Sequence, residues 1–101
     1  MWQLMLGGVF DRHPKLRLYL AEIRADWLPD TLGHLDAVYE RARPDLRAQR
    51  KPSEYWQSNC MTSLSFVHKA EVAMRHEIGV ESVIFGRDFP HAEGTWPNTA
   101  Y

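Results

Sequence analysis

The stretch Ser82-Val-Ile-Phe-Gly-Arg-Asp-Phe-Pro-His91 decides how the rest of the chain is read. Its first five residues form an apolar, β-rich run that predicts a short buried strand, ending at Arg87-Asp88. Upstream, Phe66, Val67, Ala70, Ala73, Met74 and Ile78 share one side of a predicted helix over Phe66–Ile78, and Gly79 stands where a left-handed C-cap residue is expected. Asn59–Leu64 reads as a second strand, and Pro52–Trp56 as one short helical turn after the charged, solvated stretch Asp45–Lys51. A further helix begins near Pro29, a favoured early-helix residue. Its apolar stripe is Leu32, Leu35, Val38 and Tyr39, and Arg41–Pro44 closes it. Leu16–Glu22 carries apolar groups on both faces, as strands of a parallel sheet do. Residues 1–12 read as a helix with Trp2, Met5, Leu6, Val9 and Phe10 on one face, stopped by His13-Pro14. Gly7-Gly8 weakens that helix by roughly 1 kcal/mol per glycine, so packing must hold it.

Helix, strand, helix, strand, helix, strand is the order of βαβ units, and it predicts an α/β fold with a parallel sheet. Three such strands cover a sheet poorly alone. A closed barrel or a larger doubly wound sheet would supply the missing partners.

A length of 101 residues allows one small domain, residues 1–101, and excludes two. A formal net charge of −1, with the basic residues scattered, supports neither nucleic-acid nor anionic-membrane binding. The single cysteine, Cys60, cannot form an internal disulfide, and the apolar stretches are too short and too charged to span a bilayer. The N-terminus lacks the pattern of a signal peptide, so cytoplasm is the default expectation. Four Trp, four Tyr and four Phe form a large aromatic load for so short a chain. Much of it sits at the ends, at Trp2 and at Trp96–Tyr101. Order is normally weakest at ends, which hints at an incomplete chain.

In a parallel α/β fold, functional side chains gather at the carboxyl ends of strands. Glu22, the Thr62–Ser65 end and Asp88 meet that description. For Asp88 alone a turn or N-cap role is the commoner one; a carboxylate there could also bind a divalent metal or act as a general base. His91, three residues on, reads as a loop histidine whose spacing to Asp88 raises a functional role. Glu22, expected to be buried, needs a partner such as Arg24, or faces substrate. His13, His34, His68 and His76 read as surface or packing residues, and Cys60 as a packed thiol. Ser53 and Ser63 lack nucleophile-elbow glycines.

Phe85-Gly-Arg-Asp-Phe-Pro-His-Ala-Glu-Gly-Thr-Trp-Pro-Asn98 resembles the closing motif of the amidohydrolase-related (amidohydrolase 2) family, typically Gly-Ser-Asp-Tyr-Pro-His followed by acidic, Gly or Ser, Thr, Trp and Pro. The branch concerned contains aminocarboxymuconate-semialdehyde decarboxylase and γ-resorcylate decarboxylase. Gly8-Val-Phe-Asp-Arg-His-Pro-Lys-Leu-Arg-Leu18 resembles the family's lead into its sixth strand. Ala21-Glu22 through Trp27-Leu-Pro29, and Lys51-Pro-Ser-Glu-Tyr-Trp56 with Asn59-Cys60, are similar too. Four stretches in the right order cover nearly the whole chain.

The resemblance implies a C-terminal fragment, about the last three βα units, of a metal-dependent-hydrolase TIM (β/α)8 barrel. It implies one divalent metal in the intact enzyme, zinc or manganese, with Asp88 as the ligand this chain supplies and as the group that takes a proton from metal-bound water. The family's His-x-His pair and middle-strand histidine have no counterpart here, so the chain alone is not expected to hold the metal. His91 is implied either just behind the metal ligands or against the substrate carboxylate, Glu22 and Trp27 at the barrel mouth. Substrates are implied to be small carboxylated or aromatic compounds, cleaved at C–C or C–N bonds, and intact members to be homo-oligomers. Departures are Glu22 where decarboxylases often have histidine, Arg87 for the usual serine, and Ile23-Arg24 for frequent glycines. The competing expectation is a non-catalytic truncated product, or an interaction module with Trp2, Trp96 and Tyr101 as anchors.

Overall fold

Three parallel strands alternate with helices in the computed structural model, which describes residues 1–64, 68–86, 89–92 and 97. The strands are β1 (Leu18–Leu20), β2 (Cys60–Leu64) and β3 (Val83–Phe85). The helices are α1 (Trp2–Leu6), α2 (Val9–Arg12), α3 (Leu28–Ala42), α4 (Pro52–Asn59), α5 (Lys69–Ala73) and α6 (Arg75–Ile78). Sheet order is chain order, β1-β2-β3, with Leu20, Thr62 and Val83 level across the sheet. The expected α/β alternation is present. Neighbouring parallel strands in chain order are compatible with adjacent units of a (β/α)8 barrel.

The predicted N-terminal helix is two short ones. Gly8 takes φ +67°, and a Cβ there would lie 2.6 Å from the Arg47 carbonyl oxygen, so the turn needs glycine twice over. Met5 and Phe10, one on each piece, are nevertheless both fully buried, as the apolar stripe predicts.

Helix α3 follows expectation closely. Pro29 lies in its first turn and Leu28, Leu32 and Tyr39 are buried at helical spacing. The following stretch departs from it. Asp45–Lys51 is not uniformly solvated, because Ala48 is buried and the Gln49 and Arg50 backbone N–H groups donate to the Tyr55 hydroxyl at 3.1 Å.

Helix α4 is twice the predicted single turn, and tertiary contacts explain the extra length. At its start Asp36 of α3 accepts the Ser53 backbone N–H (3.0 Å) and the Ser53 hydroxyl (2.6 Å), and Glu54 accepts the Lys51 N–H (2.8 Å). These carboxylates satisfy N–H groups that a helix leaves unpaired. At its end Asn59, expected to open the strand, is buried instead. Its amide nitrogen donates to the carbonyls of Pro14 (3.2 Å) and Leu16 (2.9 Å), and its oxygen accepts from Arg50 and Ser58. The chain leading into β1 is thereby tied to the start of β2.

The prediction of strands buried on both faces holds only for β2, where Cys60, Thr62, Ser63 and Leu64 are buried. On the edges Tyr19 is 48% exposed, Ile84 41% and Phe85 67%. A three-stranded sheet has two edge strands, and the described residues leave both uncovered. The predicted single helix over Phe66–Ile78 is broken at Met74 into α5 and α6, and Phe66 and Val67 lie outside the described residues. Its buried side agrees only in part: Ile78 is buried as predicted, but Ala70 and Ala73 are exposed and Glu71 is buried in their place. Gly79 takes a positive φ of +99°, but its ψ of 106° lies outside the left-handed conformation predicted for the cap.

Among the described residues no helix is long and apolar enough to cross a membrane. Cys60 is the packed thiol the sequence suggests, and burial pushes its pKa up to about 11. The thiolate is the reactive form. Alkylation of folded protein by iodoacetamide at neutral pH is therefore expected to run about 100-fold slower than for an ordinary thiol of pKa about 9, climbing about tenfold per pH unit up to pH 11. Labelling kinetics followed by intact mass measure this, and a plateau near pH 9 would contradict it.

Candidate functional site

The parallel register sets the carboxyl ends of the three strands side by side, since Leu20 is level with Thr62 and Leu64 with Phe85. The segments that follow β1, β2 and β3 therefore all leave the sheet at one end. In parallel α/β folds that is where functional side chains gather.

Glu22 lies in the first of these segments, two residues beyond the last paired residue of β1. It is exposed rather than buried, and it adopts φ +55°, an uncommon backbone conformation for a glutamate. The expected pairing with Arg24 is not formed. Arg24 is bound to Asp26 at 2.5 Å instead, and among the described residues no hydrogen bond or ion pair engages Glu22. The reason is that β1 stops at Leu20 and the chain turns away before the glutamate, so it never enters the sheet interior.

Trp27 sits at the N-terminus of α3 and is 37% exposed. Its indole N–H donates to the Arg24 carbonyl at 2.6 Å, and its ring meets Trp2 edge to face at 5.6 Å between centroids. Trp2 is therefore half-buried against a partner of its own chain rather than presented as an anchor. His91 is exposed on the segment after β3, just past a cis Phe89–Pro90 bond. Asp88, the candidate ligand and base, lies outside the described residues, as do Ser65, Trp96 and Tyr101. Thr62 and Ser63 are buried in the sheet, and the Thr62 hydroxyl donates to the Leu20 carbonyl at 3.2 Å, which makes it a strand–strand tie.

The functional-end residue that sequence reasoning missed is Glu71. It is 1% exposed, and its two carboxylate oxygens each accept a backbone N–H, Oε1 from Ala25 at 2.6 Å and Oε2 from His68 at 3.0 Å. The spacing His68-Lys-Ala-Glu71 matches a capping box without its Ser or Thr, a signal for the local half of this arrangement. Nothing local signals Ala25, 46 residues away. Glu71 also floors an apolar groove of about 350 Å³ along β3, walled by Leu64, Val72, Val83 and Phe85.

Among the described residues no group of three His, Cys, Asp or Glu side chains is placed to hold a metal ion. A structural or catalytic zinc needs at least three protein ligands. The described residues do not fit a metal centre by themselves.

The chain is 28% identical to the gamma-resorcylate decarboxylase of Polaromonas sp. (strain JS666 / ATCC BAA-500), over an alignment that takes in 97% of this chain and 32% of that protein. It is 30% identical to the gamma-resorcylate decarboxylase of Rhodococcus jostii (strain RHA1) over 87% of this chain and 28% of that one. The same enzyme of Rhizobium sp. (strain MTP-10005) matches at 28% identity over 87% of the chain and 28% of its own length. The chain thus spans about a third of the length of the curated relatives it matches. No family model matches it. These similarities support a distant relation to the amidohydrolase 2 family.

Proposed function

We propose that this chain is the C-terminal part of an amidohydrolase-type decarboxylase, about the last three βα units of its (β/α)8 barrel. Its share of the active site is the set of segments leaving the carboxyl ends of β1, β2 and β3. One observation carries this reading: a similarity to gamma-resorcylate decarboxylase that runs the length of the chain, through 97% of it. A parallel sheet whose strand order is its chain order supports it, because consecutive units of a barrel have that arrangement.

The relatives' activity favours C–C over C–N cleavage, so the substrate class is small aromatic carboxylates that release carbon dioxide. Asp88 is the one carboxylate ligand the chain contributes to a divalent metal, zinc or manganese. His91 faces the substrate carboxylate. Glu22 and Trp27 stand at the mouth, where an exposed carboxylate and a ring fixed by Trp2 and the Arg24 carbonyl can orient an aromatic acid. One carboxylate does not make a coordination sphere, so turnover belongs to a protein that brings the remaining ligands.

A chimera tests this. The last third of the Polaromonas decarboxylase is replaced by these 101 residues, and a cooperative melt selects folded product. The folded chimera is expected to retain about one equivalent of metal and to release carbon dioxide from γ-resorcylate or a related hydroxybenzoate. Asp88→Ala is expected to lower turnover by at least about 1000-fold, the scale of losing a catalytic ligand. A folded chimera without activity, or one indifferent to Asp88→Ala, sinks the reading.

A further inference from the structure

We infer that Glu71 is a positioning residue, whose carboxylate ties the segment after β1 to the start of α5 and thereby sets where Glu22 and Trp27 stand. The tie itself rests on contacts in this chain; its functional meaning rests on the proposed site.

Glu71 is cut off from water, and a buried carboxylate is stable only where donors replace the lost solvent. Two donors do so, one on each oxygen, and both are backbone N–H groups. Ala25 and His68 belong to different crossovers; His68 immediately precedes α5, and Ala25 lies three residues before the start of α3. One side chain thus bridges the entrances to two helices at the carboxyl end of the sheet.

Ala25 is the pivot of the segment that carries two site candidates. It is fully buried, its N–H is held by Glu71, and its carbonyl accepts the Leu28 N–H at 3.1 Å. Glu22 lies three residues before it and Trp27 two residues after. The Trp27 indole N–H in turn binds the carbonyl of Arg24, the residue joined to Ala25 through that same peptide unit. The peptide between Arg24 and Ala25 is therefore gripped on both sides, by the Glu71 carboxylate on its N–H and by the Trp27 indole on its carbonyl. Releasing the first grip frees the peptide plane to rotate, and the second grip transmits that rotation to the indole.

The chemistry requires a carboxylate. Glutamine has the same shape but one acceptor oxygen, and its NH2 would face a backbone N–H, donor to donor. Glu71→Gln therefore removes one tie while preserving volume, which separates positioning from filling of the core.

The experiment is amide hydrogen exchange and indole N–H spectroscopy by NMR on the whole 101-residue chain, wild type and Glu71→Gln. In wild type the Ala25 and His68 amides are expected among the slowly exchanging ones. In Glu71→Gln at least one of the two is expected to exchange at least about tenfold faster, the effect of losing one charge-assisted hydrogen bond. Amides of β2 keep their rates, the Trp27 indole signal shifts, and that of Trp56 does not. Uniform acceleration of all amides reduces Glu71 to a core residue and overturns the inference, as does an unmoved Trp27 signal. If Glu71→Gln does not fold, the wild-type rates still decide: fast exchange at Ala25 or His68 means that the tie is not made. An inactive chimera would leave this exchange pattern unchanged, so failure of the proposed function and failure of the tie are distinguishable.

Discussion

Trp56→Ala is expected to lower the unfolding free energy by about 3–5 kcal/mol, the usual range for truncating a large buried aromatic side chain. Trp56 is 1% exposed at the centre of the core, and its indole N–H donates to the Ile78 carbonyl at 2.6 Å. Removing it opens a cavity between α4 and the end of α6, and it orphans a buried carbonyl at a helix end. Single domains are stable by only about 5–15 kcal/mol, so a sheet whose two edges the described residues leave uncovered is expected to lose its cooperative transition altogether. Urea titration followed by far- and near-ultraviolet circular dichroism measures this. Trp56→Phe keeps most of the volume and loses the hydrogen bond, so about 1–2 kcal/mol is expected there. A loss under about 1 kcal/mol for Trp56→Ala would mean that α4 does not pack on α6 as described.

Asp11→Ala is expected to remove about 2–3 kcal/mol, the scale of deleting a charged acceptor shared by several donors. Asp11 of α2 accepts the Tyr55 hydroxyl and the Gln49 N–H (3.1 Å), and Arg50 lies 3.6 Å from its other oxygen. Arg50 also stacks on the Tyr55 ring at 4.5 Å and reaches Ser58 and Asn59. Tyr55 is fully buried, and that burial, then the Asp11 carboxylate, holds its phenol above the ordinary tyrosine range. The neutral phenol is thus the folded form. Its stabilising effect is complete below about pH 10 and is lost as pH rises through the raised folded value. Asp11→Ala is expected to narrow that alkaline window from above, because one cause of the shift is gone. A double-mutant cycle with Tyr55→Phe is expected to give a coupling of about 1–3 kcal/mol; additive losses would show that the two side chains do not act together. Asp11, Arg50 and Asn59 sit where the chain enters β1 and β2, the end of a parallel fold where polar networks serve stability. Catalytic parameters of a folded chimera should not move with them beyond the loss of folded protein.

Local pattern and tertiary contact divide this molecule cleanly. Leu32, Leu35 and Tyr39 recur at helical spacing behind Pro29, and α3 is where they say. Asn59–Leu64 reads as a strand, and β2 takes up Cys60–Leu64 of it. Chain order of elements followed from the change of period between segments. Helix α4 was legible only as a turn, because its length comes from Asp36 and two carbonyls before β1, contacts that no window of ten residues contains. Glu71 shows the same limit at the candidate site. Charge says surface, and the local His68 N–H satisfies only one carboxylate oxygen; the other is met by a backbone N–H from another crossover. Glu22 failed in the opposite sense, since an apolar run before it suggests a strand continuing to a buried end, whereas the ladder stops at Leu20.

The sequence by itself determined the α/β alternation and the parallel strands, and its motif order pointed to the amidohydrolase-related family, because period, turn residues and motif order are properties of the chain taken locally. Tertiary structure alone decided that the stretch ending at Phe85 is an exposed edge rather than a buried strand. It also decided that Glu22 faces solvent, and that Glu71 is the carboxylate drawn inside. The physical reason is that burial belongs to whatever else is packed alongside, and a hydrogen bond across tens of residues is invisible until the chain folds.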